Sequence, residues 1–252
     1  MEILIGMLVL AGVMAFIMEC VDASLGMGYG TVLSPVLIIM GFSPLLVVPS
    51  ILLSQAAGGF TASLFHHKFK NVEFCRRSKD SLIVYIITLS GVAATVIAAL
   101  IAVSIPKVYL NTYIGLLVAI MGIILASSIT FRFTWKRMVG VGVISSFNKG
   151  MSGGGFGPVV TGGQMIAGQN HKNAIGCTTA AEAPICIAGF LIYLLFNGIA
   201  NWWLPLVLFA GAALAAPIGA FTTSKMESGR FKRILGLLIM VLGIWTLWKT
   251  YM

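Results

Sequence analysis

Two short stretches of this sequence hold most of the groups that could do chemistry: SLGMGYG (24–30) and NKGMSGGGFG (148–157). Each breaks an apolar region with glycines, which let a ligand or another backbone come close. Hydroxyl, aromatic, thiol and amide groups accompany them: Ser24, Tyr29, Thr31, Ser152, Phe156 and, further along, Gln55, Cys177 and Thr178. Glu19, Asp22, Lys149 and Glu182 lie within or beside apolar runs, where a charge is expensive unless paired or wetted. Lys149 can hold an anion, or it can close a salt bridge with Asp22. Glu182, within CTTAAEAP, can carry a proton, or it can serve as a fixed hydrogen-bond partner.

A short helix is expected to begin after each glycine run, at Thr31 and at Pro158. Proline suits a first helical position. The unpaired N–H groups and the positive end of the dipole at such a start attract an anion. The substrate-binding set is therefore Ser24, Gly26, Gly28, Tyr29, Gly30, Thr31, Gln55, Lys149, Ser152, Gly153, Gly154, Gly155, Phe156, Gly157, Cys177 and Thr178. Glu182 and Asp22 are the proton-coupling candidates. No strand precedes GxGxG here, so a nucleotide fingerprint is unsupported. Cys20, Cys75, Cys177 and Cys186 lack metal spacing, and no paired catalytic constellation occurs, so neither an enzyme nor a cofactor or metal is expected. Isolated glycines such as Gly91, Gly115 and Gly211 read as close-packing positions. His66, His67 and His171 fall at loop edges and read as interfacial.

The elements that must position these groups cross a bilayer. Of 252 residues, 59% are hydrophobic and only 9% charged, far below the roughly 25% charge of soluble domains. The net charge of +9 sits in short clusters between apolar runs, the layout of cytoplasmic loops and not of a nucleic-acid surface. Spans are expected at 47–65, 82–103, 109–129, 174–196, 203–223 and 234–250, and broken regions at 3–41 and 138–168. Residues Ile3 to Val21 follow no basic stretch and lead into the glycine motif, so a cleavable signal peptide is not expected. The basic loops 66–80, 130–137 and 224–233 are assigned to the cytoplasm, and loops 104–108 and 197–202 to the outside. Region 138–168 must then cross twice or not at all: a re-entrant hairpin or two short crossings.

The broken regions repeat. At an offset of 127, Gly26, Gly28 and Gly30 fall on Gly153, Gly155 and Gly157, Asp22 falls on Lys149, and Gln55 falls on Glu182. SGVAATVIAA (90–99) resembles AGAALAAPIG (210–219), and IGLLVAIMGI (114–123) resembles LGLLIMVLGI (235–244). The expected fold is thus an all-α polytopic membrane protein of two repeats, 1–129 and 130–252. Each holds a glycine-tipped re-entrant or broken helix hairpin and three spans. Three is odd, so the second repeat is inverted, an arrangement typical of secondary transporters.

The paired glycine motif, the turns Gly41 to Pro44 and Gly168 to His171, and the elements NVEF (71–74) and ANW (200–202) resemble the TauE/SafE family. The resemblance covers nearly the whole chain. It implies a cell-membrane (inner or plasma membrane) carrier exporting a small sulfur-containing anion: sulfite, sulfoacetate or another organosulfonate, or thiosulfate. GMGYG replaces the family's usual GxGGG, and Pro49–Ser50 stands where a Gly-Thr-Ser-like element is common. The expected partners are that anion, protons and lipid, with no nucleic acid; a homodimer is an open option. An anion channel, or an uptake carrier for another small anion, is the alternative.

Overall fold

In the computed structural model, residues 2–75, 78–126, 135–166, 169–225 and 229–252 are described. Arg76, Arg77, Arg132 and Gly168 lie outside them, as do the side chains of Lys136, Arg137, Arg230, Lys232 and Arg233. The described residues form ten helices: α1 Glu2–Leu25, α2 Tyr29–Ile39, α3 Pro44–Lys68, α4 Lys79–Ser104, α5 Lys107–Ala126, α6 Trp135–Ser152, α7 Gly157–Ile166, α8 His171–Phe196, α9 Trp203–Thr223 and α10 Gly229–Tyr251. Local chemistry sets the starts. Pro44 opens α3, where its missing N–H loses nothing. Ser78 caps α4 by accepting from the Ser81 N–H at 3.1 Å. The Asn170 side chain caps α8 by accepting from the Lys172 N–H at 3.0 Å.

Among the described residues, six helices are long and apolar enough to cross a membrane: Leu4–Leu25, Pro44–Lys68, Lys79–Ser104, Lys107–Ile124, His171–Phe196 and Trp203–Thr223. The first broken region therefore begins with a helix of full spanning length, and α2 is the short half. Leu195 is 75% exposed and Leu214 69%, as suits side chains on a lipid-facing surface. Exposed Tyr109, Trp202, Trp203, Trp248 and Tyr251 lie at one end of α5, α9 and α10, as in an interfacial aromatic belt.

The packing interleaves the two halves. α1 runs parallel to α9, with Gly211 against the Gly12 carbonyl and Gly219 against Ala23. The matching pair, α4 and α6, is parallel too: Gly91 meets Ser146 and Gly150 meets Thr95. Two pairs of helices with matching sequence, α3 with α8 and α5 with α10, run antiparallel to each other. Gly59 meets Thr179 and Ala183 while Gly189 meets Leu52, between α3 and α8. Gly115 meets Leu247 while Gly122 meets Met240, between α5 and α10. The isolated glycines do pack closely, as expected: a Cβ at Gly91 would stand 2.6 Å from Ile185 Cδ1.

The loop after α3 is tied down by polar contacts that composition hid. Asp80 accepts from the Glu73 N–H at 3.1 Å and from Asn173 Nδ2 at 2.7 Å. His66, expected at the interface, is fully buried instead, with Asn71 Nδ2 3.0 Å from its Nδ1.

Candidate functional site

The two glycine tips meet. A Cβ at Gly30 would overlap the Gly153 carbonyl, and one at Gly157 would overlap the Gly26 carbonyl. Under the 127-residue offset these two contacts are one contact stated twice, since Gly30 corresponds to Gly157 and Gly26 to Gly153. Gly154 adds a third approach, with Thr31 N 2.8 Å from where its Cβ would be. Gly26, Gly28, Gly153 and Gly155 take φ values of 72°, 127°, 74° and 79°, a region that side chains disfavour. Two hydrogen bonds seal the contact. The Gly155 N–H donates to Thr31 Oγ1 at 3.3 Å, and Thr161 Oγ1 donates to the Gly26 carbonyl at 3.0 Å. Close packing of the tips therefore accounts for Gly30, Gly154 and Gly157 without any ligand.

Beside the tips lies a buried polar chain of four side chains from four helices. Lys149 of α6, 1% exposed, donates to Glu182 Oε1 of α8 at 2.6 Å. It also donates to Gln55 Oε1 of α3. Gln55 Nε2 in turn donates to Asp22 Oδ2 of α1 at 3.4 Å. Asp22 Oδ1 accepts the Tyr29 N–H at 3.0 Å, at the start of α2, where Gly28 supplies no side-chain cap. The salt bridge offered between Lys149 and Asp22 is thus not the one formed. Glu182 takes the ammonium, and Gln55 stands between Lys149 and Asp22.

The four residues are two repeat-equivalent pairs, Asp22 with Lys149 and Gln55 with Glu182. A carboxylate, an amide, an ammonium and a second carboxylate thus lie in one chain. Two donors that suit an oxyanion, the Tyr29 N–H and the Lys149 ammonium, are already engaged by the protein's own carboxylates, Asp22 and Glu182. No group of three metal-ligating side chains occurs among the described residues.

A family model described as Sulfite exporter TauE/SafE matches residues 10–246. The chain belongs to this family. It is 27% identical over 244 residues to a probable membrane transporter protein, YtnM, of Bacillus subtilis (strain 168), an alignment covering 91% of this chain and 79% of the relative. No solved structure matches the chain. The TauE/SafE chain is accordingly a multi-pass membrane transporter.

Not every predicted site residue of the TauE/SafE chain joins the polar chain. The Tyr29 hydroxyl turns to Ser54, donating to its Oγ at 2.8 Å. Thr178 accepts from Thr161 at 3.0 Å and from Gln164 at 2.7 Å, behind the tips. Ser152 and Ser24 bond back to Asn148 and Val21 carbonyls, the local habit of hydroxyls in helices. Cys177 points toward the Asp80 carbonyl, 3.8 Å away, and Phe156 sits in the hydrophobic cluster with Ile83 and Ile87. The pair Tyr113 and Asn148, bonded at 2.5 Å, escaped sequence reasoning. Asn148 beside Lys149 was the available signal.

Proposed function

We propose that this chain is a secondary active transporter that exports a small sulfur-containing anion, sulfite, thiosulfate or an organosulfonate such as sulfoacetate, coupled to protons. One observation carries the reading: two half-helices meet at their glycine tips beside a buried Lys149. A substrate oxyanion competes with Glu182 for Lys149 and with Asp22 for the Tyr29 N–H. A displaced carboxylate in so dry a place is neutralised by a proton, so anion binding is linked to proton binding. The name of the matching family supports the sulfur-containing class and the outward direction.

The halves 1–129 and 130–252 act as inverted repeats, each with a glycine-tipped broken hairpin. The antiparallel course of α3 against α8 and of α5 against α10 supports this. Purified protein in liposomes is expected to exchange labelled sulfite or sulfoacetate in counterflow, and to accumulate it only under a pH gradient. Flux that follows voltage alone, without counterflow, would indicate a channel.

The orientation has a native reporter, because Cys75 is exposed while Cys177 and Cys186 are buried. A membrane-impermeant maleimide is expected to label Cys75 in inside-out vesicles and not in intact cells. Cysteines introduced at 105 and 200 should show the reverse, and one at 134 should follow Cys75. Labelling of Cys75 and position 105 from the same side would remove the inverted arrangement.

A further inference from the structure

One turn before Asp22 on α1 sits a carboxyl group that the site above does not use. Glu19 is 2% exposed, and its Oε2 has no hydrogen-bond partner among the described residues. It lies in a niche made by the absence of a side chain on α3. A Cβ at Gly58 would stand 2.6 Å from Glu19 Oε1 and 3.0 Å from Oε2. Gly58 is itself three positions after Gln55, so the niche borders the polar chain.

The titratable groups facing Glu19 are Asp22 and Cys20 on α1, Tyr29 on α2, Lys149 on α6, and Glu182 and Cys186 on α8. Lys149 is the one cation in that set, and Glu182 holds it at 2.6 Å. Asp22 has two donors, Gln55 and the Tyr29 N–H. Glu19 Oε2 has none. An ionised carboxylate in such a place is far more costly than a neutral acid. The repeat does not require the group either, because Ser146 occupies the equivalent position in the second half.

We propose that Glu19 is a proton-binding residue of the transport cycle, carrying its proton in this conformation and releasing it when α1 and α3 separate and water reaches the carboxyl. This rests on the proton-coupled reading above and adds a carboxyl that lies outside the substrate site. The test uses full-length protein in liposomes with labelled sulfite. Wild type should accumulate label under an imposed pH gradient, and Glu19→Gln should lose that accumulation while keeping counterflow. Gly58→Ala, which crowds the same carboxyl without removing it, should weaken the coupling in the same direction. Dicyclohexylcarbodiimide, which modifies protonated carboxyls in apolar surroundings, should mark Glu19 of wild type in peptide mass spectra, a measurement that needs no variant to fold. Coupled accumulation that survives in Glu19→Gln overturns the assignment, as does carbodiimide labelling confined to Asp22 or Glu182. If wild type exchanges label but ignores the pH gradient, proton coupling itself falls, and the role of Glu19 falls with it.

Discussion

Removing Glu182 alone, as Glu182→Leu, is expected to destabilise the protein by about 3–5 kcal/mol, and Lys149→Met alone by a similar amount. Each single change strands one charge in a site where the ammonium is 1% exposed and the carboxylate 4%. The double variant Lys149→Met with Glu182→Leu removes both charges and should recover most of that loss, since a buried pair replaced by apolar side chains is often neutral. Gln55 would keep its bond to Asp22 through Nε2. Thermal unfolding of the four proteins in one detergent measures the coupling. Single effects that merely add would show that the pair is not an energetic unit. Neither variant that lacks Lys149 should bind sulfite, because the cation proposed to receive it is gone, whereas Glu182→Leu keeps that cation and removes its competitor.

The second large effect belongs to the tips. Gly30→Ala and Gly157→Ala should each abolish transport and lower stability by about 3 kcal/mol or more, beyond ordinary core overpacking. The atoms in the way are the Gly153 and Gly26 carbonyls, and backbone cannot swing aside as a side chain can. Because the two contacts are equivalent, the two variants should fail alike. Gly162→Ala in α7 is the control, as nothing lies within 4 Å of its added methyl group. It should be neutral or stabilise by up to about 1 kcal/mol through helix propensity. Wild-type transport by Gly30→Ala would mean that the tips separate freely and that their meeting is incidental.

Much of the fold was legible because it is written locally. Apolar runs placed the helices 44–68, 79–104 and 171–196 to within three residues at either end, and the glycine runs placed the starts of α2 and α7 to within two. The 127-residue offset even aligns Ser43 with Asn170 as the residues before α3 and α8. Partnership was not legible. The offset makes Asp22 equivalent to Lys149, but equivalence around a shared centre brings four side chains together and does not say which two touch. That choice falls to the reach of Lys149, which finds Glu182 on α8 and leaves Gln55 to join Asp22. The glycine tips posed a similar problem. A ligand and a second backbone both demand a missing Cβ, and only the three-dimensional contact shows that the second backbone is there. His66 looked interfacial because its buried partner, Asn71, sits in a loop whose path composition does not fix.

The interleaving of the halves also bears on how the protein is made. The face of α1 bearing Gly12, Ala15 and Ala23 is covered by α9, the ninth helix to leave the ribosome. At about 5–20 residues per second, α9 follows α1 by roughly ten to forty seconds. During that interval α1 stands in the bilayer with its small-residue groove open to lipid, and the first glycine tip has no second tip to close against. Newly made chains should therefore be most open to membrane quality-control proteases between synthesis of α1 and insertion of α9, and a chain released before residue 203 should be degraded instead of stored.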